Sequence, residues 1–164
     1  MADNLVLTGF MGTGKSTVGP RVADLLGLPF VDVDAAIVHL TGDDIATIFA
    51  RDGEATFRAL EYDVIHDLIT GRGQVIATGG GALIHPETRA EVLARNLVVC
   101  LTADPAVIQT RLEREGGRPL AGQWEAIYEA RRPVYESFAH RFDTTHAAPD
   151  SIAQEIADLW HRSR

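Results

Sequence analysis

Gly9-Phe10-Met11-Gly12-Thr13-Gly14-Lys15-Ser16 is the stretch that decides the fold. Its spacing, G-x-x-x-x-G-K-[ST], is that of a phosphate-binding loop. Leu5-Val6-Leu7 before it reads as a short buried strand, and Thr17 to Leu26 after it reads as a helix. The glycines let the backbone curl so that successive N–H groups face one anion. The helix N-terminus adds unpaired N–H groups and a partial positive charge. Gly12, Thr13, Gly14, Lys15, Ser16 and Thr17 are therefore the candidate phosphate binders, with Lys15 reaching the β- and γ-phosphates and the Ser16 hydroxyl ligating Mg²⁺. Lys15 is also the only lysine, against 14 arginines in a Lys+Arg total of 15. A thin point charge fits a tight cradle that a planar guanidinium would overfill.

Beyond the loop, the 164 residues suffice for one domain with a sizeable core. The net charge of −8 argues against a nucleic-acid surface, so positive charge for phosphates must be local. Cys100 is the single cysteine, set among Val98, Val99 and Leu101, and reads as a buried thiol outside any intrachain disulfide. There is no basic-then-apolar leader and no run of about 18 apolar residues. The expectation is a cytoplasmic, monomeric chain with neither a membrane nor a nucleic-acid partner.

Strand-like runs then alternate with helix-like sequence. Pro29–Asp34, Gln74–Thr78, Leu97–Thr102 and Arg141–Thr144 read as strands. Helical sequence follows Asp34 to about Gly71, and recurs at Pro86–Ala94, Pro105–Arg114, Gln123–His140 and Ser151–Trp160. Such alternation predicts an α/β fold, a parallel sheet covered by helices on both faces. Ligands of such sheets collect at the carboxyl ends of the strands.

The remaining candidates fall at those ends. Asp32 and Asp34, two apart at a strand end, are expected on one side of it. Asp32 is the better Mg²⁺ partner, through water. Asp34 is the better acceptor of a substrate hydroxyl proton, with a plain helix N-cap as the alternative. Glu54, Arg58 and Glu61 share one helical face, and by themselves read as a solvated salt-bridge ladder. Phe57, Leu60, Ile45, Ile48 and Phe49 read as packing. Gly79-Gly80-Gly81 lets something lie against bare backbone, unless it is only a turn. In Gly116-Gly117-Arg118-Pro119-Leu120-Ala121-Gly122, flanking glycines allow hinge motion, and Arg118 could neutralise charge on a transferring phosphoryl group. Arg131 or Arg132, before Pro133, could pair with a carboxylate.

Taken as an ordered set, these residues resemble the shikimate kinase family nearly end to end. The matching pieces are residues 9–17, Asp32-Val33-Asp34, Thr41-Gly42 with Ile45 and Ile48-Phe49, Gly53-Glu54 with Phe57-Arg58 and Glu61, Gly79–Gly81, Arg118-Pro119-Leu120, and Arg131 two residues before Pro133. The resemblance implies a three-layer kinase domain over 1–164, with a five-stranded parallel sheet of order 2-3-1-4-5 related to nucleoside monophosphate kinases. Residues 33–61 would form a substrate-binding region and 112–124 a mobile lid. It implies ATP-dependent phosphorylation of the shikimate 3-hydroxyl on the route to chorismate and aromatic amino acids. Asp34, Arg58, Gly80 and Arg131 would bind shikimate, flanked by Gly79 and Gly81, with Arg58 and Arg131 on its carboxylate. Arg118 would be the lid arginine, and Arg111 and Pro149 would lie near adenine. Val38 and Ala121 stand where the family usually has Glu and Leu. A gluconate-type kinase would keep the loop and lose the Arg58–Arg131 pair. A non-catalytic nucleotide-binding module would tolerate loss of Asp34 or Arg118.

Overall fold

The computed structural model describes residues 1–115 and 123–164. Five strands form one sheet: β1 (Leu5–Thr8), β2 (Phe30–Asp32), β3 (Val75–Ala77), β4 (Leu97–Thr102) and β5 (His140–Asp143). All neighbours run parallel, in the order β2-β3-β1-β4-β5. The central strands are apolar up to their terminal Thr8 and Thr102 because helices cover both faces. Their side chains alternate between two cores. Leu5, Leu7, Leu97 and Val99 point to one, and Val6, Val98 and Cys100 to the other.

The first core is closed by α1 (Lys15–Leu26) and α7 (Pro149–Arg162), through residues such as Val18, Val22, Ile152, Ile156 and Trp160. The second is closed by α2 (Val33–Thr41), α3 (Ile45–Thr70), α4 (Pro86–Arg95), α5 (Pro105–Arg114) and α6 (Trp124–Ser137). The three-layer order matches the expectation.

Three boundaries differ from it. Extended backbone stops at Asp32, because the Asp32 carboxylate accepts the Ala35 N–H at 2.9 Å and caps a helix that already begins at Val33. Asp34 is therefore in the first turn of α2, and the expected strand pair of Asp32 and Asp34 does not exist. The N-cap alternative considered for Asp34 belongs to Asp32. At the other edge, α6 ends at Ser137, buried Phe138 takes extended backbone, and β5 begins at His140. Within α3, Gly53 sits at φ 82°, ψ 168°, so 45–52 and 54–70 are two helical runs joined by a kink. Only glycine adopts that angle without strain.

Candidate active site

A cleft of about 530 Å³ opens above the carboxyl ends of β1, β2 and β3. Its floor is the phosphate loop. Gly12 (φ 78°) and Gly14 (φ 105°) take left-handed backbone, and Gly14 is the N-cap of α1. This conformation lets the loop deliver its amides to one point, and it puts Lys15 and Ser16 in the first turn of the helix. The Lys15 ammonium donates to the carbonyls of Gly9 and Phe10, which hold it over the loop. Lys15, Arg58, Arg111, Arg114 and Arg131 all line the cleft, so a chain of net charge −8 concentrates positive charge where an anion would lie.

One wall carries carboxylates. Asp34 and Glu61 converge on Gly79. A Cβ at that position would lie 2.8 Å from Glu61 Oε2 and 3.2 Å from Asp34 Oδ1. Any larger residue at 79 would displace them. Arg58 Nη1 donates to Glu61 Oε1 at 2.7 Å, and Arg58 Nε lies 3.6 Å from Glu54 Oε1. The expected ladder therefore exists, but it is not solvated along its length. It descends from exposed Glu54 through half-buried Arg58 to Glu61, only 3% exposed. Burial pushes the Glu61 carboxyl above its usual range; Arg58 opposes the shift, and neighbouring Asp34 adds to it. Glu61 Oε2 has no hydrogen-bond partner among the described residues.

The glycine run supports the opposite side. Arg58 Nη2 crowds the place a Cβ of Gly81 would take, and Arg131 Nη1 would lie 3.6 Å from one at Gly80. Two arginines thus reach the same bare backbone from different helices. The Tyr135 hydroxyl donates to the Gly80 carbonyl at 2.7 Å and fixes that backbone from below. Ile45, Phe49 and Phe57 complete an apolar wall. On the other flank, Arg111 and Pro149, which starts α7, line the cleft beside the loop.

Asp32 and Ser16 both line the cleft. They offer one carboxylate and one hydroxyl, a hard-oxygen set suited to Mg²⁺ that keeps its waters and rides on phosphates. Among the described residues no group of three His, Cys, Asp or Glu could hold a metal by itself. Arg118 and the rest of the expected lid core, residues 116–122, lie outside the described residues.

The shikimate kinase family model matches residues 11–160. The chain belongs to the shikimate kinase family. A shikimate kinase of Geobacter sulfurreducens is 44% identical, over 94% of this chain and 88% of that protein. One of Xylella fastidiosa (strain M12) is 40% identical, over 99% and 96%. The structure of a shikimate kinase from Acinetobacter baumannii in complex with shikimate superposes with a TM-score of 0.91 at 33% identity, covering 100% of this chain and 96% of that one. A sugar kinase from Janibacter sp. HTCC2649 shares the fold alone, with a TM-score of 0.61 at 18% identity. Membership makes the chain an ATP-dependent shikimate kinase, a phosphotransferase acting on an alcohol.

Within this shikimate kinase the cleft brings together the expected Gly12–Thr17 loop, Asp32, Asp34, Arg58, Gly79–Gly81, Arg111, Arg131 and Pro149. Five contributors, Glu61, Ile45, Phe49, Phe57 and Tyr135, carry no site role in the sequence reading. Glu61 was legible only as part of a helix face; its spacing three residues after Arg58 was the available signal. Ile45, Phe49 and Phe57 read as packing because helical periodicity does not distinguish a core from a cleft wall. Tyr135 carried no signal, since its bond to Gly80 spans 55 residues.

Proposed function

We propose that shikimate lies between Arg58, Arg131 and the Gly79–Gly81 backbone, with its 3-hydroxyl toward Asp34 and the γ-phosphate of ATP. The convergence of Arg58, Arg131 and Asp34 on the glycine run carries this reading. The arginines match the substrate carboxylate in charge and planarity. Asp34 accepts the hydroxyl proton as the oxygen forms its bond to the γ-phosphorus. The bond from that phosphorus to the β–γ bridging oxygen breaks, and ADP leaves. Gly12, Thr13, Gly14, Lys15, Ser16 and Thr17 hold the phosphates, and Arg111 and Pro149 flank the base. Ser16, and Asp32 through water, would hold Mg²⁺, which when bound would supply charge neutralisation for the phosphates. Arg118 completes that neutralisation from the 112–124 lid, and 33–61 acts as the substrate-binding region of a single domain.

The enzyme acts as a cytoplasmic monomer on small molecules. Its acidity speaks against a nucleic-acid partner, and no helix among the described residues is long and apolar enough to cross a membrane. The test is product analysis. Phosphorus–carbon coupling in the NMR spectrum of the product should assign the ester to C3 of shikimate. An ester at C4 or C5 would place the wrong hydroxyl at Asp34.

A further inference from the structure

The phosphate loop can present its amides to an anion only if its carbonyls face away and are satisfied elsewhere. Two of them are held by a small buried network at the end of β5. The Thr144 hydroxyl lies 2.7 Å from the Thr13 carbonyl and 3.1 Å from that of Thr102. A hydroxyl has one proton to give. The Thr102 carbonyl already accepts the Thr144 backbone N–H at 2.8 Å, so the proton goes to Thr13. The same hydroxyl accepts from Arg111 Nη1 at 3.0 Å, and Arg111 Nη2 donates to the Thr144 carbonyl at 2.7 Å. Arg111 Nη1 also donates to the Gly12 carbonyl at 3.0 Å. Thr144 is 4% exposed, so no solvent replaces these bonds.

We propose that Thr144 is a positioning residue for the nucleotide. Its hydroxyl locks the Gly12–Thr13 peptides in the anion-binding orientation. It also sets the direction of the Arg111 guanidinium on the base side, so one group aligns both ends of the nucleotide. Its hydrogen bonds run to Thr13, Thr102 and Arg111, none of them a residue of the shikimate side. The inference rests on the nucleotide lying on the loop as described above.

The network separates the hydroxyl from the bulk of the side chain, and the experiment uses that separation. Thr144→Val keeps shape and removes the proton; Thr144→Ser keeps the proton and removes a methyl. Thr144→Val should raise the KM for ATP by about tenfold, the scale of a buried carbonyl left unpaired, with the KM for shikimate within about twofold of wild type. Calorimetric ADP affinity should fall by the same factor, and Thr144→Ser should restore both values to within about twofold. Should Thr144→Val fail to fold, Thr144→Cys against Thr144→Ser repeats the comparison with a one-atom change, since a thiol is a weak donor. The inference is overturned if Thr144→Val leaves ADP affinity unchanged, if it raises both KM values alike, or if Thr144→Ser is as impaired as the hydroxyl-free variant. Lys15→Met is the control. If it too retains full ADP affinity, the placement of the nucleotide on the loop is wrong; if it alone loses affinity, only the role of Thr144 is wrong.

Discussion

Arg58 and Glu61 are joined by one hydrogen bond of 2.7 Å between a half-buried guanidinium and a carboxylate only 3% exposed. The two residues are three apart, about one helical turn, and the bond joins the α3 surface to the cleft. It holds the guanidinium over the Phe57 ring, 5.3 Å from its centroid, and toward Gly81. A buried carboxylate with one oxygen unpartnered among the described residues is costly to the fold, and here its other oxygen orients the Arg58 guanidinium.

This relationship has a definite pH signature. The Glu61 carboxyl is raised by burial above its unfolded value of about 4.3. The folded state therefore holds the Glu61 proton more tightly than the unfolded chain. The associated stability is present below the unfolded value and is lost as pH rises through the folded one. Glu61→Gln removes the buried charge. Its melting temperature should exceed that of wild type at neutral pH, and the difference should shrink as pH is lowered toward about 4. The same variant should raise the KM for shikimate. A melting-temperature difference that widens on acidification would reverse the assigned sign.

The lone lysine makes a steric prediction. Lys15 is held between the Gly9 and Phe10 carbonyls, a space suited to an ammonium. Lys15→Arg keeps the charge and should lower kcat by well over tenfold, more than about 1.4 kcal/mol in the barrier. Steady-state kinetics checks it. A variant with more than a tenth of wild-type kcat would show that the cradle admits a guanidinium.

Asp32 and Asp34 should fail differently. Asp32→Asn keeps an oxygen that can cap Ala35 but loses the charge offered to Mg²⁺, so excess metal should restore part of its activity. Asp34→Asn should cut kcat with little change in metal response, since a proton acceptor is lost. Superimposable Mg²⁺ titrations of the two variants would show that the roles are divided wrongly.

How much of this the sequence carried depended on the range of each signal. The loop and the alternation of buried runs are local or periodic, and β1 and β4 show the latter in all residues but Thr102, whereas the strand order came only with the family resemblance. The Asp32–Asp34 pair misled because period-2 reasoning assumes the strand continues. The same Asp32 carboxylate that lines the cleft ends the strand by capping α2. Glu54, four residues before Arg58, and Glu61, three after it, share one helical face, yet one is solvated and the other is buried against Gly79 in the loop after β3. Tyr135 and Thr144 act through bonds that cross 55 and 131 residues, beyond any local pattern.

The lid prediction concerns Arg118, outside the described residues, and a reporter within them. Trp124 is buried, donates from Nε1 to Gln109 Oε1 at 2.7 Å, and packs 6.2 Å from the Phe10 ring of the phosphate loop. Its fluorescence should respond to nucleotide and again to shikimate, against a quiet background from Trp160 in α7, which Trp160→Phe would remove. Arg118→Ala should leave ATP binding largely intact and lower kcat by about 100-fold. A variant that raises only the KM for shikimate would make Arg118 a substrate contact instead.

The most direct measurement is a coupled ADP-release assay with shikimate and gluconate side by side, on wild type and on Arg58→Ala and Arg131→Ala. Wild type should turn over shikimate and leave gluconate essentially untouched, and each variant should lose shikimate turnover mainly through KM, because the carboxylate has lost one of its two cations. Equal turnover of gluconate, or shikimate kinetics unmoved in either variant, would contradict the account.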